Sequence, residues 1–167
     1  MKNLVGTLIV TLAMGSAFAA DMKVGIVDMQ KAIQTTAAGK KAKSELESEF
    51  NKKKKELEKR EADLKKMGDD LEAKKAVLSE EALQKKQAEM QEEVMKYRDM
   101  AGKSQMDIQK KEAELTKPIL ERMRKSIDKV AKEKGYSLVL ENSPMVLFAT
   151  KEHDLTDEVI ADFEKAK

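Results

Sequence analysis

One histidine, no cysteine and eleven methionines set the side-chain chemistry open to this chain. Nucleophilic and general acid–base catalysis draw mostly on His, Cys or a carboxylate held beside a partner. His153 stands alone beside the run Asp154 to Ile160, so it reads as a surface or strand-edge residue rather than a catalyst. Metal binding needs ligands clustered at fixed geometry, and the sequence offers no such cluster. No P-loop or similar nucleotide-binding motif is present. The chain therefore reads as a non-enzyme without a cofactor.

Methionine offers another kind of chemistry, that of flexible and promiscuous contact. Met67, Met90, Met95, Met100 and Met106 all fall in the charged middle of the chain. Met90 and Met67 match a helical seam and read as fillers. Met95 and Met106, eleven positions apart, share nearly one helical face turned away from Met90, and with Met100 they are candidates for contact with apolar partners. The run Lys52-Lys53-Lys54-Lys55 wraps fully round a helix and reads first as solvated surface, with anion binding second.

These residues need elements to carry them. Residues 1–19 read as a secretory signal peptide: Lys2, an apolar stretch from Leu4 to Met14, then Ala17-Phe18-Ala19 as an A-x-A cleavage site. Loss of Lys2 leaves 32 basic and 31 acidic side chains, and near-neutrality at 38% charged residues argues against nucleic acid as a partner. With 4% aromatic residues and no Trp, the mature chain has little bulk for a globular core and reads as long exposed helices.

Phe50, Leu57, Leu64, Leu71 and Leu78 recur every seven positions, with Leu46, Lys53, Arg60, Met67 and Lys74 four residues before each. Half of this seam is apolar, and half is mostly long basic stems that cover apolar surface while their charges stay in water. A second series, Leu83, Met90, Tyr97 and Ser104, is interleaved with Gln87, Val94, Ala101, Ile108 and Leu115. Between the two, Ser79 is placed to cap a new helix with Glu80 and Glu81 in its positive first turn. Two antiparallel helices zipped along their seams follow, the first roughly 40 residues and about 60 Å long. Gly68, Gly102 and Pro118 should interrupt this arm, which makes Gly102 and Pro118 hinge candidates.

Three apolar runs, 24–29, 136–141 and 145–150, read as short strands, so the two ends of the chain must meet. Val24, Ile26, Val27, Leu138, Leu140, Val146 and Phe148 are the candidate residues of an oligomerisation body formed there. Asp28 and Thr156 read as helix N-caps and Gly135 as a helix stop. Three short strands make a poor independent core, and a second copy of the chain is the natural staple. The architecture predicted is mainly α, with a discontinuous β-containing oligomerisation body at 20–39 and 118–167 and a helical-hairpin arm at 40–117.

VGIVDMQKAI, GKKAKSELESEF, LSEEAL, GYSLVLENSPMVLFA and DLTDEVI, in that order, resemble the Skp/OmpH family of periplasmic chaperones over essentially the whole mature chain. The resemblance implies a Skp-like homotrimer with a β-stranded body and helical tentacles around a cavity. That cavity would hold unfolded outer-membrane β-barrel proteins in the periplasm without ATP. Weak membrane or lipopolysaccharide contact is implied too, although residues 40–117 carry 21 basic and 19 acidic side chains where family tentacles are often markedly basic. The alternative is a structural or adaptor coiled-coil protein of the cell envelope with one defined folded partner.

Overall fold

The computed structural model describes residues 22–166, so the expected signal peptide at 1–19 lies outside the described residues. The chain leaves a small body, runs out along one long helix, returns along a longer one and ends in the body again. Strand β1 (Val24–Val27) leads into α1 (Met29–Thr35) and α2 (Ala37–Lys74); α3 (Glu80–Glu133) returns, followed by β2 (Leu138–Glu141), a short 3-10 turn at Lys151–His153 and α4 (Thr156–Lys165).

Local chemistry places each boundary. Asp28 ends β1 two residues before the expected limit, because its carboxylate accepts the Lys31 N–H at 2.8 Å and starts α1. The break between α1 and α2 is not among the boundaries expected from the sequence. There the Thr36 hydroxyl accepts the Gly39 N–H at 3.2 Å and donates to the Ile33 carbonyl at 2.9 Å. A Cβ at Gly39 would lie 1.7 Å from that same carbonyl oxygen, so only glycine fits. At the arm tip, Ser79 caps α3 as expected by accepting the Ala82 N–H at 3.3 Å. Gly135, at φ 71°, closes the far end: Gly135 N–H donates to Lys132 and Tyr136 N–H to Ala131, a Schellman ending.

Two expectations about breaks in the arm are corrected. α2 passes through Gly68, and α3 through both Gly102 and Pro118, without interruption. Most of the arm's i to i−4 ladder survives one missing proline N–H, and the core residues Ile119 and Met123 anchor the next turn. Packing does not explain Gly102 either, since a Cβ there would meet nothing within 4 Å.

β1 and β2 pair in parallel, Val24 opposite Leu138 through Val27 opposite Glu141, and the two ends of the chain meet as expected. The third expected strand is absent. Residues 145–150 form no ladder: β1 carries β2 on one side and an isolated bridge from Ile26 to Asp154 on the other, and the outer edge of β2 stays unpaired among the described residues. Thr156 is not the cap of α4 but its first residue, fully buried. Its hydroxyl accepts the Asp28 N–H at 2.9 Å and donates to Asp154, whose carboxylate also takes the Thr156 N–H. The core joins Val27, Ala32, Ile119, Met123, Val130, Leu155, Val159 and Phe163, so it packs β1, α1, α4 and the root of α3 together. Of the oligomerisation-body candidates, Ile26 and Val27 are buried within the single chain, Val24 and Val146 are half-buried, and Leu138, Leu140 and Phe148 are exposed on its surface.

Candidate binding surfaces

The arm is held by a mixed seam. Leu46, Leu57, Leu64, Met67 and Leu71 on α2 are half-buried, as are Leu83, Met90, Val94, Tyr97, Ala101, Ile108 and Leu115 on α3; Ser104 is buried. Two of the three basic seam residues, Lys53 and Arg60, do more than cover apolar surface. Lys53 Nζ reaches the Asp107 carboxylate at 2.8 Å, and Arg60 reaches Glu93 at 3.2 Å, each across the hairpin. Nearer the root, Lys111 of α3 meets Glu45 of α2 at 3.8 Å. The hydrogen bond between them holds the Lys53 ammonium above its ordinary range and the Asp107 carboxyl below its own. Glu93 is held low first by Lys96 and then by Arg60. Within the lysine run only Lys53 is half-buried, and Lys52, Lys54 and Lys55 are solvated.

Met95 and Met106 stand 65% and 64% exposed on α3, turned off the seam as their spacing requires, whereas Met100 is half-buried. Met95 lies at the edge of a shallow groove with Leu71, Met90 and Val94. One apolar residue was misplaced in the sequence reading: Phe50, assigned to the seam, is 54% exposed. Its position next to a paired lysine in the seam was the available signal.

A second apolar surface lies on the body. Met145, Leu147 and Phe148 are 90%, 95% and 84% exposed, and Leu138 and Leu140 stand out from β2 beside them. Met22, Val24, Ile26, Leu140, Val146 and Phe148 line a hollow of about 440 Å³ at this face. His153 borders it, edge-on to Tyr136 with ring centres 6.2 Å apart, so the solitary histidine sits at the edge of β1 on the 3-10 turn. Among the described residues no group of three or more His, Cys, Asp or Glu side chains is placed to hold a metal ion, and no helix is long and apolar enough to cross a membrane.

The OmpH-like outer membrane protein family matches residues 23–163, nearly all of the described chain. This chain belongs to the OmpH-like family. The chaperone protein Skp of Vibrio cholerae is 25% identical over 166 residues, with 96% of this chain and 98% of that one covered. An Aquifex aeolicus protein without an assigned function is 30% identical over 157 residues, covering 94% of both. A crystal structure of an OmpH-like outer membrane chaperone from Caulobacter crescentus superposes with a TM-score of 0.76 at 18% identity, over all of this chain and 91% of that one. The last similarity confirms the fold: long helices projecting from a small sheet-containing body. The family model and the relatives agree on an OmpH-like chain, similar over nearly its whole length to the chaperone protein Skp of Vibrio cholerae.

Proposed function

We propose that this OmpH-like protein is an ATP-independent periplasmic holdase. It binds unfolded outer-membrane β-barrel proteins between the arms of a homotrimer and keeps them from aggregating before membrane insertion. The body at 20–39 and 118–167 is the assembly unit, and the hairpin at 40–117 is the client-contacting arm. The observation that carries this reading is the set of exposed apolar side chains on the arm, Met95 and Met106, in a chain of a chaperone family. Such side chains contribute nothing to the hairpin seam and suit many weak contacts with varied partners. The exposed Leu138, Leu140, Met145, Leu147 and Phe148 give the body an apolar surface that suits assembly with further copies of the chain.

The test is dilution of a urea-denatured outer-membrane β-barrel protein into buffer, with and without this protein and with no nucleotide. Light scattering should fall in proportion to the protein added. Scattering that is unchanged at a molar excess of trimer refutes the holdase. Recovery of one stoichiometric folded partner from the periplasm, in place of many unfolded chains, would move the assignment to the adaptor.

A further inference from the structure

The hairpin arm joins the body at two places that lie side by side. On the outgoing side the chain passes from α1 to α2 through one extended residue, Thr36. On the returning side α3 carries Pro118, where one backbone N–H is missing from the helical ladder. Ala38 and Ala42 of α2 line a common groove with Leu115, Pro118, Ile119 and Arg122 of α3, so the two joints stand at one level of the arm. Hinges are a few element-terminal positions that absorb a backbone change, and a hairpin that pivots as one piece needs one on each of its helices.

A third helix reaches that level. α2 opens without an acidic residue in its first turn, whereas α3 opens with Glu80 and Glu81 and α4 with Asp157 and Glu158. The negative charge that favours a helix start comes to α2 from α4 instead: the Ala37 N–H, the first of α2, donates to the Glu164 carboxylate at 2.6 Å. Glu164 belongs to the last turn of α4, and Arg122 of α3 grips that turn. Its guanidinium donates to the Phe163 carbonyl at 3.1 Å and to the Ala166 carbonyl, and lies over the Phe163 ring, 4.2 Å from the ring centre. The last carbonyls of a helix have no partner farther along it, and a cation there is favourable. Phe163 is itself buried in the body core, and Arg122 lies one turn beyond Pro118 on the body side. The last turn of α4 is therefore part of the body, and Glu164 reaches from it to the first residue of the arm helix.

We infer that Glu164 is a latch that sets the resting angle of the arm, and that Arg122 is its positioning residue. The latch is a single contact exposed to solvent, so it opens at little cost. Open, it frees α2 to pivot at Thr36 while α3 pivots at Pro118, and the space beside the arm widens. Its consequence for clients rests on the holdase reading: opening favours large clients over small ones.

The chain contains no Cys, so introduced cysteines carry spin labels at unique places. Ala76→Cys at the exposed tip and Ala161→Cys on α4, also exposed, are labelled in the full mature protein, which is then diluted with unlabelled copies. Double electron–electron resonance reads the tip-to-body distance within one chain. Glu164→Ala should broaden that distribution. Arg122→Met, which keeps an apolar stem over Phe163, should broaden it too, and the double variant should be no broader than either. Glu164→Gln keeps an acceptor oxygen for Ala37 and should restore most of the parent's narrow distribution. Glu164 is exposed, so Glu164→Ala should keep the parent's helical circular dichroism, and broadening then reports arm angle rather than unfolding. Affinity for a large denatured β-barrel protein relative to a small one should rise about threefold in Glu164→Ala, the factor for one exposed carboxylate at a helix start. A parent-like distribution in Glu164→Ala, or a Glu164→Gln protein as broad as Glu164→Ala, overturns the latch. A broadened distribution with an unchanged client ratio overturns its role in client size and leaves the holdase. Failure of the parent to bind either client removes the holdase, and the distances alone then decide the latch.

Discussion

Gly39→Ala and Gly102→Ala are one chemical change with opposite expected consequences, and together they test how the arm is built. At Gly102 the added methyl meets nothing within 4 Å and the residue is exposed on α3. Alanine there removes only the conformational entropy that glycine loses in a helix, a gain of about 0.8–1 kcal/mol. At Gly39 the methyl would sit 1.7 Å from the Ile33 carbonyl oxygen and 3.1 Å from the Thr36 hydroxyl. Backbone must move, and the Thr36 cap that joins α1 to α2 goes with it. Loss of such a cap alone costs about 1 kcal/mol, and displacing packed backbone should bring the total to at least about 2 kcal/mol.

Amide hydrogen exchange resolves both, because it reports opening segment by segment. In Gly102→Ala the amides around residues 98–106 should exchange roughly fivefold more slowly, the factor for about 1 kcal/mol. Elsewhere the rates should stay put. In Gly39→Ala, exchange should speed up in α1 and the first turns of α2, with a lower melting temperature for the whole protein. A Gly39→Ala protein as stable as its parent refutes the close-approach reasoning. A Gly102→Ala protein with faster local exchange refutes the claim that the site is ordinary exposed helix.

Two further outcomes follow from the body. Asp157, Glu158 and Asp162 are each held below the ordinary carboxylate range by hydrogen bonds from Lys31, Lys134 and Lys129, whose own ammonium groups are held above theirs. A lowered carboxyl stabilises the fold above its unfolded value and loses that as pH falls, while a raised ammonium does so below its unfolded value. The melting temperature should therefore be flat between about pH 5 and pH 10 and fall below about pH 4 and above about pH 10.5, followed by circular dichroism. Leu140→Asp should dissociate the assembly, since a carboxylate buried without a partner costs several kcal/mol. Leu140 is exposed within one chain, so the monomer should stay helical, and an unchanged mass by light scattering would count against the assembly face.

The sequence carried the arm well because its signals are local. Ser79 with two following glutamates and Gly135 before a β-prone run each act over about a turn, and the seven-residue recurrence of leucines repeats every two turns within one helix. Pairings across the hairpin were not legible. Lys53 and Asp107 are 54 positions apart, and Arg60 and Glu93 are 33 apart, so their meeting depends on the register set by the tip. Phe50 was misread for the same reason. The break at Thr36 did have a signal, a threonine three residues before a glycine at the start of a helical run. The third strand, 145–150, did not form although Val146 and Phe148 are strand-forming residues and the outer edge of β2 is left unpaired among the described residues, so propensity alone misled.

The two hinge candidates differ in what they could do for a cage of changing width. Gly102 lies well out along α3 with an intact helical ladder, so bending there would move only the outer arm. At Pro118 the helix lacks one N–H, and the Thr116 hydroxyl has turned back onto the Glu112 carbonyl at 2.7 Å, an arrangement that loosens and bends helices. The next residue, Ile119, is buried in the body core, so a bend at Pro118 would pivot on a fixed base. At a rise of 1.5 Å per residue the tip at Glu80 is about 57 Å from Pro118 and about 33 Å from Gly102. A 10° bend would then shift the tip about 10 Å from the root but about 6 Å from mid-arm. Proline at the root, next to the core, is the place where a small bend would move the tip furthest while leaving the arm beyond it, with the exposed Met95 and Met106, unchanged in shape.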